Sequence, residues 1–556
     1  MIRENQNIIV FLLILVSATF FINVTAQDLN KEVYVVSSFK PEVSDAGKIG
    51  KLPVIDDTST YKPKADYTVL PSRLKSSFEL RPIKPAKMAG TPLDKLYNSY
   101  LKAGFGNYNT PVAEYSIHNL RSKEYSIGAY IFHRSSYNKI KLENGHKVPA
   151  GYGNNDILLY GKRFYKDVNV TGDIGLNTRR LRHYGYNVDN FDTVPDLEIK
   201  DIKQSFFKLY GQVGVYSAEA DSGAFQYTLN LKGEYFADHF STKEPNVDFN
   251  LSVSHLIKSF RLGLNASAYY ASFSADGKDY GDGIFEINPY VKKKKEEWEI
   301  KLAGRLFVEN NEENNIYIFP EASLRIRIIN QALFTKFGVT GYLENNSYQS
   351  MSDVNPYITP GVQVGNTLHR FVVYGGIEGH LSRNTTYHAR VTFDAMENAP
   401  FFVNDTISEL ENTFNIVYDQ ADLIKYYFDL YYSPLKYLDF GIRSNVYSYK
   451  MAGIEKPWHK PAYDLNFTTR YNFREKIYAS VELLTLGKRY AQDLSGDGEY
   501  FTLDPIFDLN LKIEYKYSNI LTGFLHFYNL ASQQYYLWNR YPGQRINIIL
   551  GITYKF

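Results

Sequence analysis

From Tyr97 to the C-terminal Phe556 the chain keeps one texture: apolar and aromatic residues alternate with polar ones, broken only by short polar intervals. Successive side chains of a β-strand point to opposite faces, so a period of two specifies strands with one apolar and one polar side. In the last stretch Ile546, Ile548, Leu550, Ile552, Tyr554 and Phe556 share one face. Arg545, Asn547, Gly551, Thr553 and Lys555 share the other, and Ile549 alone breaks the rule. The stretch 507–517 repeats the design: Phe507, Leu509, Leu511, Ile513, Tyr515 and Tyr517 alternate with Asp508, Asn510, Lys512, Glu514 and Lys516. A third copy runs from Tyr463 to Phe473, with Leu465, Phe467 and Tyr471 opposite Asp464, Asn466, Arg470 and Asn472. Each is about as long as the roughly 9–11 tilted residues that cross a bilayer as a strand.

A soluble sandwich also alternates, so the N-terminus carries weight. Arg3 precedes a mostly apolar run from Ile8 to Ile22, and Val24-Thr25-Ala26 supplies small residues before Gln27. This reads as a cleaved secretory signal peptide over residues 1–26. No comparable apolar run follows, so any later membrane crossing must use strands. A mean hydropathy of −0.34 would suggest a soluble chain, but in a barrel only every second residue meets lipid. The 49 Tyr and 36 Phe suit such a wall, since Tyr pairs an apolar body with a hydroxyl for the interface.

Spacing of the connections gives a second test. Short links fall near Ser122, Lys166, Lys258, Lys292, Asn330, Gly365, Asn398, Pro434, Phe473 and Ser518, with a less tidy one at 217–223. Longer polar connections fall between them at 135–153, 181–200, 274–282, 346–355, 451–460, 491–503 and 531–544. Alternating short turns and long loops mark a membrane barrel with its turns in the periplasm. The reading is all-β: one transmembrane antiparallel barrel over 97–556, of 22–24 strands, with 24 as the count. Residues 27–96 hold seven of the 21 prolines. Proline lacks a ladder donor, so this segment is expected to be a periplasmic tail or a partial plug, not a regular sheet.

The chemistry of the chain narrows its function. A net charge of +2 argues against a nucleic-acid binder. The absence of Cys removes disulfides, thiolate metal sites and a lipid-attachment cysteine. No nucleophile elbow, zinc helix or phosphate loop is present. Asp238-His239 and Ser254-His255 are the nearest approaches to a catalytic pair, but neighbours in a strand point apart. The chain is therefore read as a non-enzyme. One loop places oxygen-bearing residues at calcium-loop spacing: Asp493, Ser495, Asp497, Glu499 and Asp504, with Gly498 at the turn. The flanks are strands and the twelfth position is Asp, so an ordinary hairpin loop reads equally well, and no other cofactor is expected.

The C-terminal run Phe527-Tyr528-Asn529-Leu530, Tyr535-Tyr536, Tyr541-Pro542-Gly543-Gln544-Arg545 and Gly551-Ile552-Thr553-Tyr554-Lys555-Phe556 resembles the end of TonB-dependent receptor barrels. Terminal Phe556 resembles the aromatic read by the barrel-assembly machinery. Glu32, Val33, Tyr34, Val35 and Val36 resemble the segment where TonB pairs as an added strand, a mode that needs only exposed extended backbone. The style, with Gln after the cleavage site, is similar to Bacteroidota receptor-like proteins. The resemblance implies an outer-membrane channel or transporter for a nutrient, with 27–96 in place of a full-length plug. Its implied partners are outer-membrane lipid, the assembly machinery and TonB or another envelope protein. The competing expectation is a barrel that scaffolds an outer-membrane complex or assists envelope assembly.

Overall fold

The computed structural model describes residues 96–556 except 189–194, 196–197, 219–223, 312–313 and 494–499. The expected signal peptide, most of the proline-rich segment and the Glu32 to Val36 stretch lie outside the described residues. The barrel is a single sheet of 22 strands, every neighbour antiparallel, beginning with Ser99–Gly106 and ending with Asn547–Lys555. These two pair with each other, Ala103 opposite Ile552, and so close the sheet. Closure removes the open edges that would otherwise present unpaired backbone to lipid. Among the described residues the one α-helix is Tyr348–Val354, and no helix is long and apolar enough to cross a membrane.

The alternation decides which face is which. Leu550, Ile552 and Tyr554 stand exposed on the outer wall, as do Ile316, Ile318, Leu302 and Ile174 on other strands. The inner wall carries charges that pair across strands. Arg305 Nε meets Glu286 at 2.7 Å, Arg325 Nε meets Glu378 at 2.8 Å, and Lys232 Nζ meets Glu234 at 2.8 Å. A water-free exterior and a mixed-charge interior are what an apolar-out, polar-in alternation produces in a wide membrane barrel. Ile549, which breaks the rule in the sequence, points inward and is 2% exposed. Space for it comes from glycines on the first strand: a Cβ at Gly106 would stand 2.9 Å from its Cγ1.

The strand count of 24 is two too high. Both extra strands come from reading the intervals around Gly365 and Asn398 as periplasmic turns. Residues 365–366 instead end a long loop, where the Asn366 side chain bonds Asp282 and Glu309. Asn398 lies inside the strand Thr385–Asn404, at a bulge between Met396 and Ala399. Its φ of +56° is turn-like, because one extra residue in a ladder must step out of the extended conformation. The true turn in this region is Arg383-Asn384, between Thr367–Ser382 and Thr385–Asn404. The expected loop 274–282 is likewise a two-residue turn. Asp276 and Gly277 take φ of 51° and 73°, the double left-handed geometry that Asp-Gly hairpins favour.

Short turns gather at the end where Ser99 and Phe556 exchange backbone hydrogen bonds of 3.1 and 3.0 Å. The long connections, such as 137–151, 183–202, 345–366, 452–462 and 529–546, gather at the other end. A cysteine replacing Asn144 in a long loop should therefore react with a membrane-impermeant maleimide on intact cells, and one replacing Asn519 in a short turn should not. The opposite pattern would invert the barrel.

Candidate functional site: a capped barrel mouth

The large apolar core of this molecule sits across the mouth formed by the long loops. One contiguous cluster joins Val148, Tyr186, Phe236, Ile358, Phe414 and Trp538, contributed by connections and strand ends from much of the ring. Loops exposed to water need no such residues, so their burial signals that the loops fold onto one another over the opening.

The helix Tyr348–Val354 anchors one side of this cap. Ser347 caps it, its hydroxyl accepting from Ser350 N at 3.1 Å while Ser350 Oγ accepts from Ser347 N at 2.8 Å. Glu244 accepts from the Tyr348 and Gln349 amides at 3.0 and 2.9 Å. Such acceptors satisfy first-turn N–H groups that have no intrahelical partner. The Tyr348 hydroxyl donates to Asp238 at 2.8 Å, and its ring packs edge-on against Phe273 and Phe236. At the far end Arg179 donates to the Ser352 carbonyl at 2.8 Å and pairs with Asp353 at 3.3 Å. Side chains of four barrel strands thus hold a two-turn helix that could not persist alone.

Aromatic rings fasten the other side. Tyr541 stacks on Tyr357 with centroids 3.6 Å apart and meets Tyr184 edge-on at 5.0 Å. The Tyr184 hydroxyl donates to the Pro542 carbonyl at 2.9 Å, and that of Tyr541 donates to the Asn412 carbonyl. Asn412 in turn donates to the His183 carbonyl at 2.7 Å, and Arg540 pairs with Glu411 at 3.0 Å. Trp538 packs against Phe402, Phe414 and His459. Loops distant in sequence are joined by both packing and polar contacts.

Two histidines are sealed inside. His459 Nδ1 donates to the Phe402 carbonyl at 2.9 Å, and its Nε2 accepts from the Asn539 amide at 3.4 Å. Donating at one nitrogen while accepting at the other requires the neutral ring. Burial, with Arg489 and Lys460 nearby, pushes its pKa down to about 4. His183 is buried between Phe240 and Tyr357, and burial pushes it down to about 4 as well.

Among the described residues, those singled out in the sequence take separate places. Asp238 is a structural anchor: besides Tyr348 it accepts from the Phe240 and Thr242 amides, each at 2.9 Å. His239 packs edge-on against Phe240, and Ser254 accepts from Arg261 at 3.3 Å on the inner wall. Of the calcium-spaced residues, Ser495, Asp497 and Glu499 lie outside the described residues. Asp493 and Asp504 flank a loop based on the small hairpin Arg489–Gln492 and Tyr500–Leu503. The Asp504 carbonyl accepts from the fully buried Arg489 at 3.1 Å. Among the described residues no group of carboxylates and histidines could hold a metal ion. Phe556 closes the barrel seam and stacks on Tyr554 at 5.7 Å. The cap itself was not foreseen. Its available signal is aromatic residues in loops, among them Trp458 and Trp538, two of only three tryptophans in the chain.

No protein-family model matches this sequence, and no curated protein does. Solved structures do match. The FrpB iron transporter of Neisseria meningitidis superposes with a TM-score of 0.64 at 10% identity, over 84% of this chain and 82% of that one. The ferric-catecholate import receptor Fiu of E. coli K12 gives 0.62 at 8%, over 83% and 82%. The siderophore receptor PirA of Acinetobacter baumannii gives 0.64 at 9%, over 83% and 81%. The chain shares its closed 22-strand barrel fold with these receptors and transporters.

Proposed function

We propose that this barrel is a receptor-like transporter of the outer membrane, which admits a nutrient through its lumen when the loop cap opens. The observation that carries the reading is the pairing of a closed 22-strand barrel with a mouth covered by loops that pack on one another. A barrel of this width has a lumen its own side chains cannot fill, so a cover gives the lumen a purpose. The structurally similar proteins named above are receptors and transporters. In this reading Glu32 to Val36 offers an extended strand to TonB, residues 27–96 narrow the pore in place of a full-length plug, and Phe556 is read during assembly. The chain would be a receptor-like protein of Bacteroidota type and would carry no enzymatic chemistry.

Conductance tests it. In planar bilayers the full chain should be nearly silent. Removing 27–96 together with the cap contacts of Trp538 and Tyr541 should give steps at least several-fold larger, while the barrel still shows its heat-dependent mobility on gels. Silence in the assembled double-altered protein would sink the transport reading. The density of the cap supports a second reading, since a scaffold is expected to have a mouth blocked by immobile structure, and that outcome would favour it.

A further inference from the structure

Under the cap, beside the loop-side ends of the strands Tyr125–Ser136, Tyr152–Phe164, Val168–Arg182, Ile506–Lys516 and Leu521–Tyr528, lies a cavity of about 460 Å³. Five arginines line it, Arg134, Arg179, Arg180, Arg182 and Arg545, against a single aspartate, Asp508. Arginines around one cavity normally recruit carboxylates, because burial of an unpaired charge is costly. Here the recruitment is incomplete. Arg179 is taken by the cap helix through Asp353 and Ser352. Arg545 bonds a neutral group, Gln534, at 3.2 Å. Arg134 and Arg182 have no carboxylate within ion-pair distance among the described residues. Arg134 lies over the Tyr528 ring at 4.8 Å with its Nε buried and unbonded, and Arg182 has a buried, unbonded Nη1.

Asp508 has the complementary defect. Its Oδ2 accepts from the Tyr535 hydroxyl at 2.8 Å, but its Oδ1 is buried without a donor. The remaining lining is suited to a hydroxylated ring. Tyr152, Tyr184 and Tyr357 supply aromatic faces, and Asn154 and Asn510 supply amides that both donate and accept. Binding sites for small molecules combine such aromatic walls with a few fixed polar groups, in roughly 300–1,000 Å³.

We propose that this cavity binds a hydroxylated carboxylate about the size of a sugar acid. Its carboxylate is held by the guanidinium groups of Arg134 and Arg182, which no carboxylate of the described residues neutralises, and one of its hydroxyls donates to the Asp508 carboxylate. Arginine suits this role, since its planar fork matches a carboxylate in two parallel bonds. The single aspartate adds selection: it repels a ligand that presents only negative charge and rewards one that also presents a donor. Cavity walls come from both the barrel (Arg134, Asp508) and the cap (Tyr184, Tyr357, Tyr535), so ligand and cap position are coupled. The inference deepens the transport reading and rests on it for the ligand's purpose.

Calorimetric titration of the purified full chain in detergent tests it, with D-glucuronate as the probe. Saturable binding is expected, with no heat from glucose and at least tenfold weaker binding of cyclohexanecarboxylate, which keeps the charge and ring but lacks the hydroxyls. Arg134→Gln with Arg182→Gln should weaken glucuronate at least tenfold. Asp508→Ala should erase the preference for glucuronate over the hydroxyl-free acid. Each variant is first shown to be assembled by heat-dependent gel mobility. No glucuronate binding at millimolar concentration, or equal binding by the arginine variant, overturns the proposal. Phosphate binding as tightly as glucuronate overturns its hydroxyl-selective part. Equilibrium binding requires no passage through the pore, so glucuronate binding by a protein that never conducts would leave this site standing and remove the transport reading alone.

Discussion

Replacing Tyr541 with alanine should release the cap while leaving the barrel intact. The ring stacks on Tyr357 at 3.6 Å, meets Tyr184 at 5.0 Å, and its hydroxyl holds the Asn412 carbonyl. Truncating a buried aromatic to alanine costs roughly 3–5 kcal/mol, because transfer and cavity terms add. The loss here falls on the loops, since the barrel's ladder closes elsewhere. Amides in 183–187, 405–413 and 529–546 should then lose roughly two to three powers of ten in hydrogen-exchange protection, while strands such as Ser99–Gly106 and Phe414–Leu435 keep theirs. Tyr541→Phe separates the two contributions. It keeps the stack and removes one hydrogen bond, which costs about 1 kcal/mol plus the unpaired Asn412 carbonyl. Trp538→Ala should fall at the low end of the aromatic range, because its Nε1 is buried without an acceptor and its removal also ends that penalty. Unchanged loop protection in Tyr541→Ala would mean that the cap is held piecemeal, and the idea of one cooperative lid would fail.

Acid should loosen the same cap. His183 and His459 are each pushed by burial from an ordinary value near 6.5 down to about 4. A lowered histidine pKa means that the fold holds the neutral ring. Its contribution is whole above pH 6.5, declines as pH falls, and is fully lost near pH 4. At pH 5 the loss is on the order of 2 kcal/mol for each histidine, and about 4 kcal/mol if both act on one lid. Protonating His459 also ends its acceptance from the Asn539 amide, beside the buried Arg489 and Lys460. Exchange in 452–462 and 529–546, corrected for its intrinsic pH dependence, should therefore speed up by roughly two to three powers of ten between pH 7 and pH 5. His183→Gln with His459→Gln should flatten that profile while weakening the cap at pH 7. A pH-independent profile in the unaltered protein would show that both rings titrate normally in the folded state.

Several features were legible in the sequence because they are local. Period-two alternation fixes which residues face lipid, since neighbouring strand side chains must point apart; Leu550, Ile552 and Tyr554 needed no tertiary information. Turn chemistry fixed most links, and Ser518 is one, accepting from the Ile520 and Leu521 amides in the final turn. Where a local signal had two meanings the reading failed. Asn398 in a left-handed conformation serves a bulge as well as a turn, and Asp276-Gly277 passed for a loop because its polar flanks extend the strands beyond the membrane. Both ambiguities are resolved by partner strands, which a single stretch of sequence does not name.

The sequence by itself determined that this chain is a closed membrane barrel with short turns at one end and long connections at the other, because alternation and turn propensity act over a few residues. Only the tertiary structure decided what the long connections do. Tyr184, Tyr357 and Tyr541 are more than 170 residues apart in consecutive pairs, and no periodicity links them. They meet because strand pairing brings their loops over one opening, where apolar surface is removed from water by the neighbour the ring supplies. The same holds for Arg134, Arg182 and Asp508. Each is an ordinary inner or rim residue in its own strand, and only closure of the barrel leaves two unpaired cations and an unpaired acceptor on the walls of one cavity.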